Sequence, residues 1–275
     1  MPELPEVETV CRTLTPHLVN RHIMKTVVLN QQVVHHPKED GAAFSRAVEG
    51  ALIKEIARRG KYILLVLDHG WVVCHLRMTG KLLVKERAYQ PQKHDHLVLY
   101  LDDGKQLVYE DVRRFGGLSY YEACPNQQLP LAKLGPEPLS DSFDGEYLYQ
   151  RCQNRKKPIK SFILDQGIVA GIGNIYADEI LFRAGIRPLK SAYRLRKVEC
   201  ERLAQAAKEV LSEAILAGGS TIRDYVNSDA QEGSFQLSHR VYGRAGAPCV
   251  TCGTPLKRLV VGGRSSVYCP CCQKS

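Results

Sequence analysis

Four cysteines near the end of this chain constrain its fold more than any other feature. Cys249-x2-Cys252-x16-Cys269-x2-Cys272 sets two CxxC knuckles at a separation that can close a tetrahedral thiolate site. Four thiolates leave no open coordination position, so the spacing predicts one structural zinc ion rather than a catalytic one. The residues between the knuckles read as two short strands joined by Gly262-Gly263, a zinc-ribbon hairpin. Cys271 lies inside the second knuckle and could compete as a ligand, but the CxxC spacing favours Cys272. Cys11, Cys74, Cys124, Cys152 and Cys200 are scattered. The front of the chain lacks a basic segment followed by an apolar one, so no secretory signal is visible and a cytoplasmic setting is expected. There, disulfides are unfavoured and scattered cysteines act as small buried hydrophobes.

Charge points to a polyanion. Lys and Arg number 38 against 29 Asp and Glu, a net charge of +9. The excess is local. Arg151, Arg155, Lys156, Lys157 and Lys160 fall in one acid-free run; Arg240, Arg244, Lys257, Arg258, Arg264 and Lys274 fall in another. A charge run is ordinarily a solvated face. Two acid-free runs, one spanning the metal motif, favour phosphate binding instead. Neither lies on an amphipathic helix with aromatic anchors, and no run of about 18 apolar residues occurs, so a membrane partner is not expected.

Periodicity divides the chain. Residues 3–19 read as a helix with Leu4, Val7, Cys11, Leu14 and Leu18 on one face. Strands are expected at 23–30, 52–59, 61–67, 71–76, 96–101, 106–110 and 117–121, with hairpin turns at His69-Gly70 and Asp102-Asp103-Gly104. Short strands so closely spaced suggest a sandwich or flattened barrel carrying the first helix. Pro125 and the proline-rich stretch 130–138 look like a linker. Helices are expected at 144–153, 158–166, 173–184 and 196–217, the last stopping at Gly218-Gly219. Residues 228–240 are polar and aperiodic and read as a mobile loop.

The first residues, MPELPEVETV, are acidic in a basic protein. Pro5 suits a first helical turn, and Glu3, Glu6 and Glu8 suit the positive end of a helix. Read alone, Pro2 is an ordinary residue ahead of that helix. It is also small enough to permit removal of Met1, which would expose a secondary amine. An α-amine has a pKa of about 8, so a useful fraction is neutral at physiological pH and can attack an aldehyde-like carbon. The adduct of a secondary amine is an iminium with no N–H to lose, an electron sink for elimination at the neighbouring carbon. Glu3 beside it could act as a general acid.

With RRGKY (58–62), HLRMTG (75–80), HDH (94–96), EDVRRFG (110–116), GIGNIYADEILF (171–182) and the C-terminal VYGRAGAPCVTCG and VYCPCCQK, that front resembles the bacterial formamidopyrimidine-DNA glycosylases along the whole chain, in their order. The resemblance implies an α+β, multidomain fold. Residues 1–131 would form a catalytic β-sandwich with an N-terminal helix. Residues 132–239 would form a helical helix–two-turn–helix domain with a lid loop, and 240–275 the four-cysteine zinc finger.

It also implies a function: excision of oxidised purines from double-stranded DNA through a Schiff base on the N-terminal proline, then β,δ-elimination. Pro2 would be the nucleophile, Glu3 the acid that opens the sugar, Lys61 an aid to β-elimination and Arg264 an aid to δ-elimination. Lys61 could otherwise be a surface lysine beside a strand, and Arg264 a solvated turn residue. A base inside a duplex must be flipped out to be cut, which leaves a hole. Met78, Arg113 and Phe115 match the family's intercalating trio; core packing is the ordinary alternative for Met78 and Phe115, though a loop of paired arginines and glycines suits an exposed tip. His94, Arg113, Lys156 and Asn174 would hold the DNA backbone, Asn174 from a helix start. The implied enzyme is a monomer of the bacterial cytoplasm, associated with the nucleoid.

Two rivals differ in testable ways. The sister enzyme endonuclease VIII prefers oxidised pyrimidines, and its front resembles PEGPE where this chain has Leu4. A non-enzymatic zinc-ribbon DNA-binding protein would account for the charge and the cysteines, but not for Pro2 beside Glu3 nor for a plug loop.

Overall fold

The computed structural model describes residues 1–125, 130–221 and 227–274. The chain forms two compact units: Met1–Ala132 with Gly218–Ser234, and Lys133–Ala217 with Phe235–Ser275.

The first unit opens with helix α1, Leu4–Leu18, whose stripe of Leu4, Val7, Val10, Cys11, Leu14 and Leu18 is buried as its period requires. Strands follow: β1 (Ile23–Val28), β2 (Val34–His36), then helix α2 (Gly41–Val48), then β3 (Ile53–Arg59), β4 (Tyr62–Leu67), β5 (Gly70–His75), β6 (Gly80–Lys85), β7 (Asp95–Leu101), β8 (Gln106–Asp111) and β9 (Gly117–Tyr121). They make a four-stranded sheet, β1-β7-β8-β6, and a five-stranded sheet, β2-β9-β5-β4-β3. Apolar residues of both sheets, of α1 and of α2 share one core that includes Leu14, Phe44, Ile63, Val72, Leu97 and Tyr109. Truncating one of these leucines to alanine costs about 2–5 kcal/mol. The sandwich with its N-terminal helix is therefore present as expected.

The second unit is helical: α3 (Gly145–Cys152), α4 (Ile159–Ile163), α5 (Asn174–Arg183) and α6 (Lys197–Leu216). Helix α6 packs on α3 and α5 around Leu148, Phe162, Tyr176, Leu203 and Leu211. It ends where sequence places its stop, because Gly218 and Gly219 take φ of +74° and +80°, a region side chains resist. Strands β10 (Lys257–Val261) and β11 (Arg264–Tyr268) pair antiparallel as the expected ribbon.

Four differences have physical causes. The sequence reading omits β2, α2 and β6, since three to eight residues carry too little periodicity; β6 hides Leu82-Leu83-Val84 between lysines. Helix α4 runs five residues and is shorter than expected, ending as the chain turns at Leu164. Residues 228–240 are not featureless. The Ser228 carbonyl accepts the Val84 N–H at 3.1 Å, and a 3-10 turn at Phe235–Ser238 buries Phe235 against Tyr176 at 5.7 Å. Cys124 is exposed rather than buried, in the turn after β9, whereas the other four scattered cysteines are buried.

Candidate active site and nucleic-acid interface

The front of α1 is shaped by Glu6. Pro2 and Glu3 are buried, and Glu6 is 1% exposed. One Glu6 oxygen, Oε2, accepts the Glu3 N–H at 2.7 Å; the other, Oε1, accepts the Ser220 N–H at 2.7 Å. A buried carboxylate between two backbone donors is a fixed strut, and it sets the backbone that presents Pro2 and Glu3.

Lys61 stands in the Gly60-Lys61 turn between β3 and β4 and is largely buried. The adjoining strand is fastened to α1: Arg58 Nε donates to Glu8 Oε2 at 2.8 Å, and its Nη1 to the Gly60 carbonyl at 3.1 Å. His75, at the end of β5, lies near enough to be perturbed by Lys61. Burial, then the positive charges of Arg77 and Lys61, push its pKa down to about 3. The imidazole is therefore neutral. Its Nδ1 accepts the Arg77 N–H at 2.9 Å, which places the ring proton on Nε2. The sequence marks Glu6 only as a helix-start acid and gives His75 no role. The HLRMTG segment does contain His75, but only the fold shows that its imidazole is buried and neutral.

The expected plug residues project from the same unit. Met78 is 40% and Phe115 54% exposed, too open for core positions. Arg113 is exposed, with its guanidinium 4.6 Å from the Phe115 ring centroid. His94 precedes β7 and is half-buried; its carbonyl accepts the Asp111 N–H at 3.0 Å.

In the second unit Asn174 is the first residue of α5, and Lys156 is exposed in the turn before α4. Asn174 Nδ2 and Lys160 Nζ both donate to the Ser265 carbonyl, at 3.1 and 2.9 Å. The helix start is thereby brought against the residue following Arg264, which is itself exposed at the ribbon turn. Asn174 Oδ1 is buried without a hydrogen-bond partner among the described residues. The basic run 151–160 needs one correction: Lys160 is fully buried, 2.7 Å from Asp178, and cannot meet a phosphate. Arg151, Arg155 and Lys156 are exposed and can.

The four thiols converge. The metal-binding atoms of Cys249, Cys252, Cys269 and Cys272 all lie within 4.8 Å of one another, with Cys252–Cys269 sulfurs at 3.5 Å and Cys249–Cys272 at 3.9 Å. A tetrahedron of sulfurs about 2.3 Å from zinc has edges of about 3.8 Å, so the set fits that ion. Cys271 is exposed and stands outside it. Glu179 of α5 accepts the N–H groups of Arg240, Val241 and Tyr242 at 3.0, 2.9 and 2.8 Å, and so holds the approach to the ribbon.

Comparison with known proteins covers the same ground. Three family models match: the formamidopyrimidine-DNA glycosylase N-terminal domain over residues 1–118, the formamidopyrimidine-DNA glycosylase H2TH domain over 134–226, and the zinc finger found in FPG and IleRS over 246–274. A formamidopyrimidine-DNA glycosylase of Desulfitobacterium hafniense is 46% identical over 275 residues, 99% of this chain and 100% of its own. One of Geobacillus kaustophilus is 44% identical and covers 100% of both. The solved complex of Lactococcus lactis Fpg with abasic-site DNA aligns at a TM-score of 0.92 and 35% identity, covering 99% of this chain and 100% of that one. The MutM (FPG) protein of Thermus thermophilus aligns at 0.88 and 40% identity, covering 99% and 98%.

Proposed function

The chain belongs to the formamidopyrimidine-DNA glycosylase family, and on that premise we propose how its residues divide the work. The protein is a DNA glycosylase and AP lyase of base excision repair with one structural zinc. Its substrate is double-stranded DNA carrying oxidised purines, 8-oxoguanine or formamidopyrimidines, or abasic sites. It acts as a single chain in the bacterial cytoplasm, and its association with the nucleoid is part of the proposal. Residues 1–131 supply the catalytic part, 132–239 the helical DNA-binding part with its lid, and 240–275 the zinc finger.

Once Met1 is removed, the Pro2 nitrogen attacks C1′ of the flipped nucleotide and the damaged base departs with its bonding electrons. Glu3 protonates the ring oxygen, so the sugar opens to an iminium. Loss of a C2′ proton then expels the 3′ phosphate, with Lys61 assisting. A second elimination expels the 5′ phosphate, with Arg264 on phosphate. Water hydrolyses the remaining adduct and frees the amine. Met78, Arg113 and Phe115 fill the vacated stack, while His94, Lys156 and Asn174 hold backbone phosphates.

The observation that carries this reading is the front of α1, where Pro2 and Glu3 are buried in a backbone fixed by Glu6. Borohydride trapping on an 8-oxoguanine duplex tests it. The protein should give a covalent band that Pro2→Gly abolishes. No band, or an unchanged band in the variant, overturns the assignment of the nucleophile.

A further inference from the structure

The three plug residues sit on two separate loops, and one buried carboxylate holds both. Met78 lies between β5 and β6; Arg113 and Phe115 lie between β8 and β9. Asp111, at the end of β8, is 0% exposed. Its Oδ1 accepts the Thr79 hydroxyl at 2.5 Å and the Arg113 N–H at 3.2 Å. Its Oδ2 accepts the Gly116 N–H at 2.9 Å and the Tyr109 hydroxyl at 3.1 Å. The Arg113 N–H also reaches the Thr79 oxygen at 3.1 Å, which closes a ring across the two loops.

An ionised carboxylate stays buried only where donors replace water. Burial pushes the Asp111 pKa up, but hydrogen bonds from Thr79, Gly116, Tyr109 and Arg113 outweigh it and hold the group below its ordinary value. Three of those four donors belong to the plug loops.

The loops need such an anchor. Arg77 and Arg114, neither a glycine, take left-handed φ of +51° and +54°. Each such residue costs on the order of 1 kcal/mol and persists only when its surroundings impose it. Room is tight as well. A Cβ on Gly116 would collide with the Tyr109 hydroxyl and the His75 carbonyl. On Gly80 it would collide with the Leu76 carbonyl and crowd that same hydroxyl. Tyr109 thus wedges between the two loops while donating to Asp111.

We propose that Asp111, acting through Thr79, is a positioning residue that locks the two loops into one preformed plug. It touches no substrate. Its role is to hold Met78, Arg113 and Phe115 in their inserting arrangement before DNA arrives, so that little ordering remains at the moment of base flipping. The inference rests on the glycosylase reading above.

Two substrates separate this role from general stability. Excision of 8-oxoguanine from a duplex opens a hole that must be filled; nicking an abasic site in single-stranded DNA opens none. Thr79→Val, which keeps shape and loses the hydroxyl, should slow duplex excision by about tenfold or more while leaving single-strand nicking within about twofold. Thr79→Ser should restore duplex excision. Asp111→Asn should follow Thr79→Val; if it fails to fold, the Thr79 pair decides alone. The clamp is overturned if Thr79→Val matches the parent on both substrates, or if it loses both activities in proportion. A parent that processes neither substrate would instead sink the enzyme reading itself.

Discussion

Arg58 Nε lies 2.8 Å from Glu8 Oε2, and the second Glu8 oxygen takes Arg12 Nε at 2.9 Å. The Arg58 pair ties the helix that begins beside Glu3 to the hairpin that carries Lys61, and both partners are mostly shielded, at 11% and 22% side-chain exposure. Burial pushes the Glu8 carboxyl up, but Arg58 and Arg12 outweigh it and hold its pKa below the ordinary value. A group depressed in the folded state binds fewer protons there than in the unfolded chain. Its contribution is therefore present above the unfolded value of about 4.3 and is lost as pH falls through the folded value. Glu8→Gln should cost about 1 kcal/mol near neutral pH. Denaturant titrations of parent and variant from pH 7 downward should show that gap closing below about pH 4. A gap that stays constant would contradict the ion pair.

Glu6 makes a different demand. It bridges the Glu3 and Ser220 N–H groups with hydrogen bonds of 2.7 Å each. Glu6→Ala removes the acceptor of both N–H groups and should cost about 2–5 kcal/mol. Glu6→Gln keeps one good acceptor but turns an amide N–H toward the other donor. It should fold, yet displace Glu3 by a fraction of an ångström. For the general acid proposed above, misplacement costs up to about a hundredfold in rate. Single-turnover excision should fall by about that factor, while fluorescence anisotropy on an abasic-analogue duplex changes only a few-fold. Equal losses of rate and affinity would refute a positioning role.

Sequence alone exposes what is periodic or chemically spaced. The α1 stripe, the Gly218-Gly219 stop, the Asp102-Asp103-Gly104 turn and the paired CxxC knuckles are local patterns, and each is found where expected, whereas the other hairpin turns one residue early, at Asp68-His69, with Gly70 already paired in β5. Helix α2 leaves a weaker mark. Its Asp40 cap, accepting the Ala43 N–H at 2.8 Å, is legible only after the helix is known. The residues that organise the site are less visible. Lys160 resembles its basic neighbours in the sequence, yet Asp178, on another helix, draws it inside. Asp111 and Glu6 look like surface acids at a strand end and a helix start. Their meaning depends on donors from Thr79 and Ser220, which the fold supplies.

The buried pair itself gives a stability prediction. Asp178 takes Lys160 at 2.7 Å, the Ser266 hydroxyl at 2.7 Å and the Val267 N–H at 3.0 Å, so it joins α4 and α5 to the ribbon strand β11. Removing one partner leaves an uncompensated buried charge. Lys160→Met should therefore cost about 3–5 kcal/mol. Lys160→Met combined with Asp178→Leu should recover part of that loss, since the stranded charge is gone. Chemical unfolding of the two single variants and the double closes the cycle. Additive losses would show that the two residues act independently.

The cysteines allow the zinc site to be counted. With zinc bound, exposed Cys124 and Cys271 should react quickly with a thiol reagent, while buried Cys11, Cys74, Cys152 and Cys200 wait for denaturant. The ligands Cys249, Cys252, Cys269 and Cys272 should stay silent although Cys252 is exposed, because a bound thiolate is not free to attack. A strong chelator should release one zinc per chain and unmask those four thiols together. The cluster of Phe182, Val241, Cys249, Leu256, Val267 and Cys269 then loses its ties, and with it the ribbon that carries Arg264. Binding to abasic-analogue DNA should collapse in step with zinc loss. If binding survives verified chelation, or if the four ligands react while zinc remains bound, the structural role assigned to the ion is wrong.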